Sequence, residues 1–561
     1  MAEKTHKTVY AVLNNSCNKN PEKTAVIFPD ESKQYTYSEL KDLVDKTAKA
    51  LISLGVKKGS HVAICMHNTD KWLAVLYAAS SIGAIVVPIN INSSVSEMEY
   101  LLKQADVNIL FFLQNNSKNN SECLKKIIGD KNSIDKDNFS SLEKVIVIGN
   151  VVSTDSVINW DDFISYSAKV TDNMLCDYRS KVTPEDIYSI QYTSGTTSRP
   201  KGAILAQKGV LYSASNYGEA IKMSSNEKIF IPIPFHYCFG NILTAVSYLI
   251  YGATIIVPSG FSTSSALRIL QNEGCTFICG VPTMYLAMIN NCDFNKYDLS
   301  KLNKIVFGGS YTSPSQFCKI AQAFGVTNII NGYGLTESSS LCVIPSINDS
   351  FEIRMNTVGK PLQNNDARII DSNSGAESQE GQLGELIIRG PNCMLGYYKK
   401  EYETSLAIDK DGWLHTGDLA SKTTEGFIII DGRIKDIIIR GGENISPTEI
   451  EVALCEVDGV NDAKVVGAYD EVMGEKIAAF IISNCNLEDL CQQIETTLAN
   501  KLSKSKMPEY YIKIDSYPVN SNGKVLKTEL KKMAQELIAE NKFDGQNSST
   551  SNTKKRYTIY Q

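Results

Sequence analysis

The segment Tyr192-Thr-Ser-Gly-Thr-Thr-Ser-Arg-Pro-Lys-Gly202 gathers hydroxyls, glycines and one lysine into a single loop after the strand-like run Ile187–Tyr192. Hydroxyls and free backbone N–H groups across Thr193, Ser194, Gly195, Thr196 and Thr197 can cradle phosphate oxygens, and Lys201 adds a positive point charge. A Walker A loop would need Gly at 200 and Ser or Thr at 202; Pro200 and Gly202 exclude it. Four further clusters could do chemistry: Pro234-Phe-His-Tyr237, Asn331-Gly-Tyr-Gly-Leu-Thr-Glu337, Trp413-Leu-His-Thr-Gly-Asp418, and Asn522-Gly-Lys524 after Pro518. Taken singly, each has a plainer reading. A hydroxyl-rich loop is a surface turn, a lone His a satisfied core residue, Tyr-Gly-x-Thr-Glu a turn with a helix cap. Asp418 is then a solvated loop carboxylate, and Lys524 a surface lysine after a glycine turn.

Alternating elements must position these clusters. Tyr37 to Leu54 reads as a helix capped by Ser38. His61–Met66 reads as a buried strand, followed by a helix around Trp72–Ser81 and a strand at Ala84–Ile89. Asn108–Phe112 and Lys144–Gly149 continue the alternation, which predicts an open, largely parallel α/β sheet. From about Gly359, short runs such as Ala367–Ile370 and Glu385–Arg389 alternate with turns and predict a small β-rich subdomain. Helix–strand patterns resume after Arg440, notably at Pro447–Cys455 and Lys476–Ile482, with a late helix at Thr528–Glu540. A boundary is expected near 432–436. The polar stretch Asn115–Ser121 and the tail 541–561 read as disordered.

Composition narrows the function classes. The chain has 561 residues, 43% hydrophobic and 21% charged, so it is long enough for several domains. Lys plus Arg total 56 against 62 Asp plus Glu, a net charge of −6 that gives no footprint for nucleic acid or an anionic membrane. The 14 cysteines are scattered without a Cys-x-x-Cys pair and there are five His, so a zinc site is not expected and the thiols read as reduced and mostly buried. Trp72–Ser96 is uncharged, and Ile229–Leu267 is too apart from His236, lengths that could span a membrane. Gly83 and Pro88 interrupt the first, and Pro232, Pro234, Gly240, Gly252 and Pro258 cut the second, so both read as core pieces. The Met1–His6 start lacks a signal or transit pattern and the end lacks Ser-Lys-Leu, which makes cytoplasm the expected compartment. Loose peripheral contact with a membrane stays compatible with the composition.

Together and in this order, the clusters resemble the adenylate-forming (AMP-binding) superfamily, which includes acyl-CoA synthetases, over roughly Pro21 to Lys532. Ser198 departs from the family's usual glycine. The resemblance implies an α/β fold with a large N-terminal domain (1–432) of doubly wound sheets and a β-rich subdomain. This is hinged at 433–436 to a small α+β C-terminal domain (437–540). It also implies site roles. ATP would meet Thr193, Ser194, Gly195, Thr196, Thr197 and Lys201, with Gly309 and Ser310 along the adenine and Tyr333 stacked on it beside Gly334. Thr336 would contact the α-phosphate, Glu337 hold Mg²⁺, Asp418 take the ribose hydroxyls, and Arg433 reach the ribose or phosphate. His236 would lie beside the substrate carboxylate and Lys524 act as the mobile catalytic lysine. Lys435 would be the pivot, and Gly441 and Gly442 would line the path of CoA.

The implied reaction joins a carboxylic acid to CoA through an acyl-adenylate. His236 stands where amino-acid-activating members carry Asp, and Ile439 where luciferases carry a second Lys, which argues against both. The Gly441–Ile445 string and the apolar 229–257 run resemble medium- or long-chain fatty-acid enzymes. Aromatic-acid CoA ligases, and ligases that load a carrier protein or an amine, remain open beside them. A nucleotide-binding relic without activity is a further class, suggested by Ser198 and opposed by Lys201, Glu337, Asp418 and Lys524. Acyl chain length and oligomeric state are not legible, since one methylene shifts binding in an apolar pocket by only about 1–3 kcal/mol.

Overall fold

The computed structural model describes residues 8–130, 132–193, 199–371, 374–519, 525–539 and 556–559. The chain divides into two compact units: 1–309 with 320–367 and 388–415, and 310–319 with 368–387 and 416–561.

The first unit holds two seven-stranded sheets. In one, the order is Asn328–Asn331, Lys304–Phe307, Phe277–Gly280, Lys228–Phe230, Thr254–Ile256, Thr24–Phe28, Lys33–Thr36, parallel except for the last pair. In the other it is Val157–Asn159, Lys144–Ile148, Ile109–Leu113, His61–Cys65, Ile85–Ile89, Ile187–Thr193, Lys201–Ala206, again parallel until the final hairpin. Strands buried on both faces read as continuous apolar runs, as His61–Cys65 and Ile85–Ile89 do. On one face Ala63, Val87, Leu110, Phe112 and Val145 pack under Met98, Leu101 and Ile127 of two helices, and each large side chain so buried contributes about 1.5–3 kcal/mol. This is the largely parallel α/β architecture expected from the alternation.

Several details differ from the sequence reading. The helix Tyr37–Ser53 is capped by Thr36, whose hydroxyl accepts from Glu39 N while the Glu39 carboxylate accepts from Thr36 N. That reciprocal box outcompetes Ser38, which lies inside the first turn. The polar stretch expected to be disordered starts the helix Lys118–Ile128, with Ser117 as cap and Asn120 buried. Its apolar residues Cys123, Leu124, Ile127 and Ile128 sit on one face and outweigh the polar opening. The run 229–267 breaks into strands, a π-helical turn at Phe239–Thr244 and the helices Ser247–Tyr251 and Thr263–Asn272. Among the described residues no helix is long and apolar enough to cross a membrane. Among the described residues the 14 cysteines form no disulfide; seven are buried, four half-buried and three exposed.

The second unit is built on a sheet ordered Glu443–Ile445, Ile438–Arg440, Gly474–Ser483, Tyr510–Lys513, Arg556–Ile559, with Val460–Asp470 also pairing Gly474–Ser483. Alternate residues face two cores. Val465, Ile477 and Ala479 pack with Ile450 and Leu454 of the helix Pro447–Cys455. Val466, Ala478 and Phe480 pack with Leu530, Ala534 and Leu537 of the helix Lys527–Ala539. The tail departs from its expected disorder at 556–559, where a strand pairs in parallel with Tyr510–Lys513. The β-rich segment forms a four-stranded sheet: Asp366–Ile370, Gly384–Arg389, Leu414–Lys422, Ile428–Arg433.

One buried ion pair staples the first of the large sheets. Lys304 Nζ lies 2.6 Å from Glu227 Oε1, both side chains under 10% exposed, and Thr276 Oγ1 donates to the other oxygen at 2.6 Å. Glu227→Leu leaves an ammonium buried without its partner and should cost about 3–5 kcal/mol. Glu227→Leu/Lys304→Met should recover most of the lost thermal midpoint. A double variant no more stable than the single one would contradict this reading of the pair.

Candidate active site

Ligands of open parallel sheets gather beyond the carboxyl ends of the strands, and His236, Gly309, Tyr333, Gly334, Thr336 and Glu337 follow such ends. Lys304–Phe307 runs into Gly308 and Gly309, while its neighbour Asn328–Asn331 runs into Gly332–Glu337, with Phe307 paired to Asn331. Gly332 N donates to Phe307 O at 3.1 Å, joining the two loops. Ser310, exposed, is the first residue of the second unit's 310–319 segment. Tyr333 bridges Val343 through backbone bonds of 2.9 and 3.0 Å. Gly334 is fixed by a close approach within the chain itself: a Cβ there would lie 2.2 Å from Ser340 O and 2.5 Å from Leu341 Cα. The returning turn is strained, since Ser339 and Ser340 both have positive φ, 49° and 78°. Buried Asn392 holds it, donating from Nδ2 to Ser338 O and Leu341 O and accepting from Ser339 Oγ at its own carbonyl.

Pro234–Tyr237 follows the strand Lys228–Phe230. Asn68 clamps it, donating to Ile233 O at 2.9 Å and accepting from Phe235 N at 2.7 Å. Gln191 Nε2 donates to His236 O at 2.5 Å. Gly240 closes the loop where a Cβ would meet Pro234 O at 2.3 Å. The loop touches the Thr336 turn through Cys238, whose Sγ lies 3.6 Å from Thr336 Oγ1. His236 is buried with Nε2 unpartnered, and burial pushes its imidazole down to about 3. The ring is therefore neutral across the working range and offers a hydrogen bond rather than a charge.

Three charged or aromatic groups then converge. Lys201 begins the strand Lys201–Ala206 and its Nζ lies 4.4 Å from the centroid of the Tyr397 ring. The Tyr397 hydroxyl donates to Glu337 Oε1 at 2.7 Å. Thr193 pairs with Lys201 across the hairpin. Ser194, Gly195, Thr196 and Thr197, the body of the phosphate loop, lie outside the described residues.

In the second unit, Asp418 and Arg433 are partners across two antiparallel strands, with Arg433 Nε 3.2 Å from Asp418 Oδ1. Glu385 accepts from Gly417 N at 3.0 Å and Thr416 Oγ1 from Asp418 N at 3.1 Å, which fixes the backbone that carries the carboxylate. Thr416, Gly417, Asp418, Arg433, Ile434 and Lys435 line an open recess of about 400 Å³. Burial, then the neighbouring Arg433 charge, lowers the pKa of Lys435. Gly441 and Gly442 form the turn between Ile438–Arg440 and Glu443–Ile445, where Gly441 N donates to Met473 O at 2.7 Å. Lys524 lies outside the described residues. Its flanks meet: Val519 bridges Val525, and Leu526 N donates to Pro518 O at 2.8 Å.

Comparison with known proteins decides the family. AMP-binding enzymes match residues 13–398, and the AMP-binding enzyme C-terminal domain matches 449–524. The chain belongs to the AMP-binding enzyme family. It is 35% identical over 545 residues, 96% of this chain and 99% of the relative, to the "Putative acyl-CoA synthetase YngI" of Bacillus subtilis (strain 168). It is 32% identical over 541 residues, 95% of this chain and 89% of the relative, to the mitochondrial medium-chain acyl-CoA ligase ACSF2 of Danio rerio. Its fold matches the anthranilate CoA ligase AuaEII, crystallised with anthranoyl-AMP, with a TM-score of 0.84 at 24% identity over 95% of this chain and 98% of that one.

For an AMP-binding enzyme, the donor set suits Mg²⁺. Among the described residues no group of three or more His, Cys, Asp or Glu could hold a metal. Mg²⁺ is commonly bound by one or two carboxylates with substrate phosphates, so Glu337, with one oxygen on Tyr397, fits it. Sequence reasoning missed Tyr397 and Asn392. The Gly396-Tyr-Tyr398 string carries an aromatic and a glycine, but nothing local links it to residue 337 or residue 201. The buried imidazole gives a pH test. The adenylation rate of this enzyme should carry no ionisation near 6.5 from His236. A step near 6.5 that disappears in His236→Gln would contradict a neutral ring.

Proposed function

We propose that this protein is an ATP-dependent acyl-CoA synthetase that activates a carboxylic acid, a fatty acid of medium or long chain, as its acyl-adenylate and passes the acyl group to CoA. AMP and pyrophosphate leave. One observation carries the reading: relatives named for acyl-CoA synthesis align with nearly the whole of both chains, and Lys201, His236, Glu337, Asp418, Arg433 and Lys524 all stand at the expected motif positions. The medium-chain name of one relative and the His at 236 favour a fatty acid over an amino acid. An aromatic acid, or a carrier protein or amine as acceptor, is the second reading.

In the first half-reaction the carboxylate oxygen attacks the α-phosphorus and the bond to pyrophosphate breaks. The chain's task is to align anions and offset charge growing on phosphate oxygens. The 193–197 loop and Lys201 bind the phosphates, Thr336 donates to the α-phosphate, and neutral His236 orients the acid without trapping it as an ion pair. Gly309, Ser310, Tyr333 and Gly334 take the adenine, and Asp418 and Arg433 the ribose side. Lys524 bridges carboxylate and phosphate. Mg²⁺, held by Glu337, would supply positive charge to the phosphates. In the second half-reaction the CoA thiol attacks the acyl carbonyl and AMP departs; Gly441 and Gly442 line its path, and Lys435 is the pivot at which the backbone changes between the two steps.

CoA-dependent AMP release across a panel of carboxylic acids tests the activity, with the highest kcat/KM expected for aliphatic acids. No AMP with any acid would refute it, and AMP without thioester would favour the carrier-protein or amine reading. Lys524→Ala should lower adenylation by about 10²–10³ and largely spare thioester formation from supplied acyl-adenylate. Lys435→Pro, which fixes φ, should do the reverse. Equal loss in both steps would refute these two assignments.

A further inference from the structure

Tyr397 stands between the two opposite charges of the site and touches both. Its hydroxyl donates to Glu337 Oε1 at 2.7 Å, and its ring carries the Lys201 ammonium at 4.4 Å from the centroid. The side chain is buried, 7% exposed. A phenol hydroxyl that donates to one carboxylate oxygen fixes it and leaves the other for a cation. An ammonium resting on a ring face keeps its charge for an anion, because the quadrupole attracts it without neutralising it.

The backbone around Tyr397 is pinned on three sides. Met394 N donates to Glu337 O at 2.7 Å, so the tyrosine's own segment is tied to the residue it orients. Leu395 N and Ile204 O, Ile204 N and Gly396 O, and Tyr398 N and Gly202 O bond at 2.8–2.9 Å, which extends the Lys201–Ala206 strand's pairing across residues 395–398. Thr404 Oγ1 accepts from Tyr397 N at 2.9 Å, and Gly396 passes so near Thr404 that a Cβ there would lie 2.9 Å from its methyl.

We infer that Tyr397 is a positioning residue for the adenylation step, orienting the Glu337 carboxylate for the divalent cation of a metal–nucleotide substrate while seating Lys201 for its phosphates. This rests on the reading of Glu337 and Lys201 given above. It acts through both and touches no reacting atom.

The test uses Mn²⁺ in place of Mg²⁺ and α,β-methylene-ATP as a nucleotide that cannot release pyrophosphate and so cannot donate its adenylyl group, with bound metal measured by electron paramagnetic resonance on the full chain. Tyr397→Phe keeps the ring and loses the hydroxyl. It should raise the half-saturating Mn²⁺ concentration at least fivefold, and leave thioester formation from supplied acyl-adenylate unchanged. Combined with Glu337→Gln it should add little to the effect of that change alone. Tyr397→Leu should in addition weaken nucleotide binding at saturating metal. Tyr402→Phe, at an exposed position, serves as the control with wild-type affinity. Unchanged metal affinity in Tyr397→Phe, or the same fold-loss with and without Glu337, would overturn the inference. If wild-type protein binds the metal–nucleotide yet releases no AMP with any acid, the proposed reaction falls while the binding measurements still decide the role of Tyr397.

Discussion

A site that binds a metal–nucleotide must hold a cation and a carboxylate close together without letting them cancel. At 4 Å two opposite unit charges attract by about 4 kcal/mol at an effective dielectric of 20, and any phosphate that entered would have to break that attraction. In this protein Lys201 and Glu337 each meet Tyr397 instead, one on its ring and one at its hydroxyl. Much local structure follows from that arrangement. The ring must reach the end of the Lys201–Ala206 strand while its hydroxyl reaches the turn after Asn328–Asn331, so segment 394–398 pairs with the strand and donates to Glu337 O.

The Asp418–Arg433 pair solves a different problem. Its partners touch directly, at 3.2 Å, and the arginine side chain is 42% exposed. The Asp418 side chain is only 10% exposed, so the guanidinium is the partner that can turn to water and yield its place on the carboxylate to a ligand. At the half-buried phosphate side a spacer keeps the charges apart, whereas at the proposed ribose side a buried carboxylate meets a guanidinium that is half open to solvent. His236 is a third case, in which burial removes the charge altogether.

Legibility followed the range of the interactions. The strands and helices of the first unit could be read locally, because apolar runs and caps lie within a few residues of what they specify. Ser38 was misread because Thr36 and Glu39 satisfy two donors at once. Asn115–Ser121 was misread because its polarity hid the apolar face that begins at Cys123. At the tail, the strand 556–559 depends on the edge of Tyr510–Lys513, more than forty residues earlier. The motif residues were legible through resemblance to a family; Tyr397 and Asn392 were not, since what they hold lies about 50 to 200 residues away and polar partners leave no periodic trace.

The turn after Glu337 shows how the site is held. Two successive serines in the left-handed region cost on the order of 1–3 kcal/mol each, and such a turn persists when its surroundings over-determine it. Asn392 supplies two donors and one acceptor from a fully buried position, and Gly334 removes the one Cβ that would block the crossing chain. All of these contacts lie within the chain. Their stabilisation offsets the strain of the turn that follows Thr336 and Glu337. Interactions with a developing charge accelerate a reaction most when donors and carboxylates need no reorganisation as that charge forms. A strained turn held by packing meets that requirement, which a relaxed and mobile loop would not.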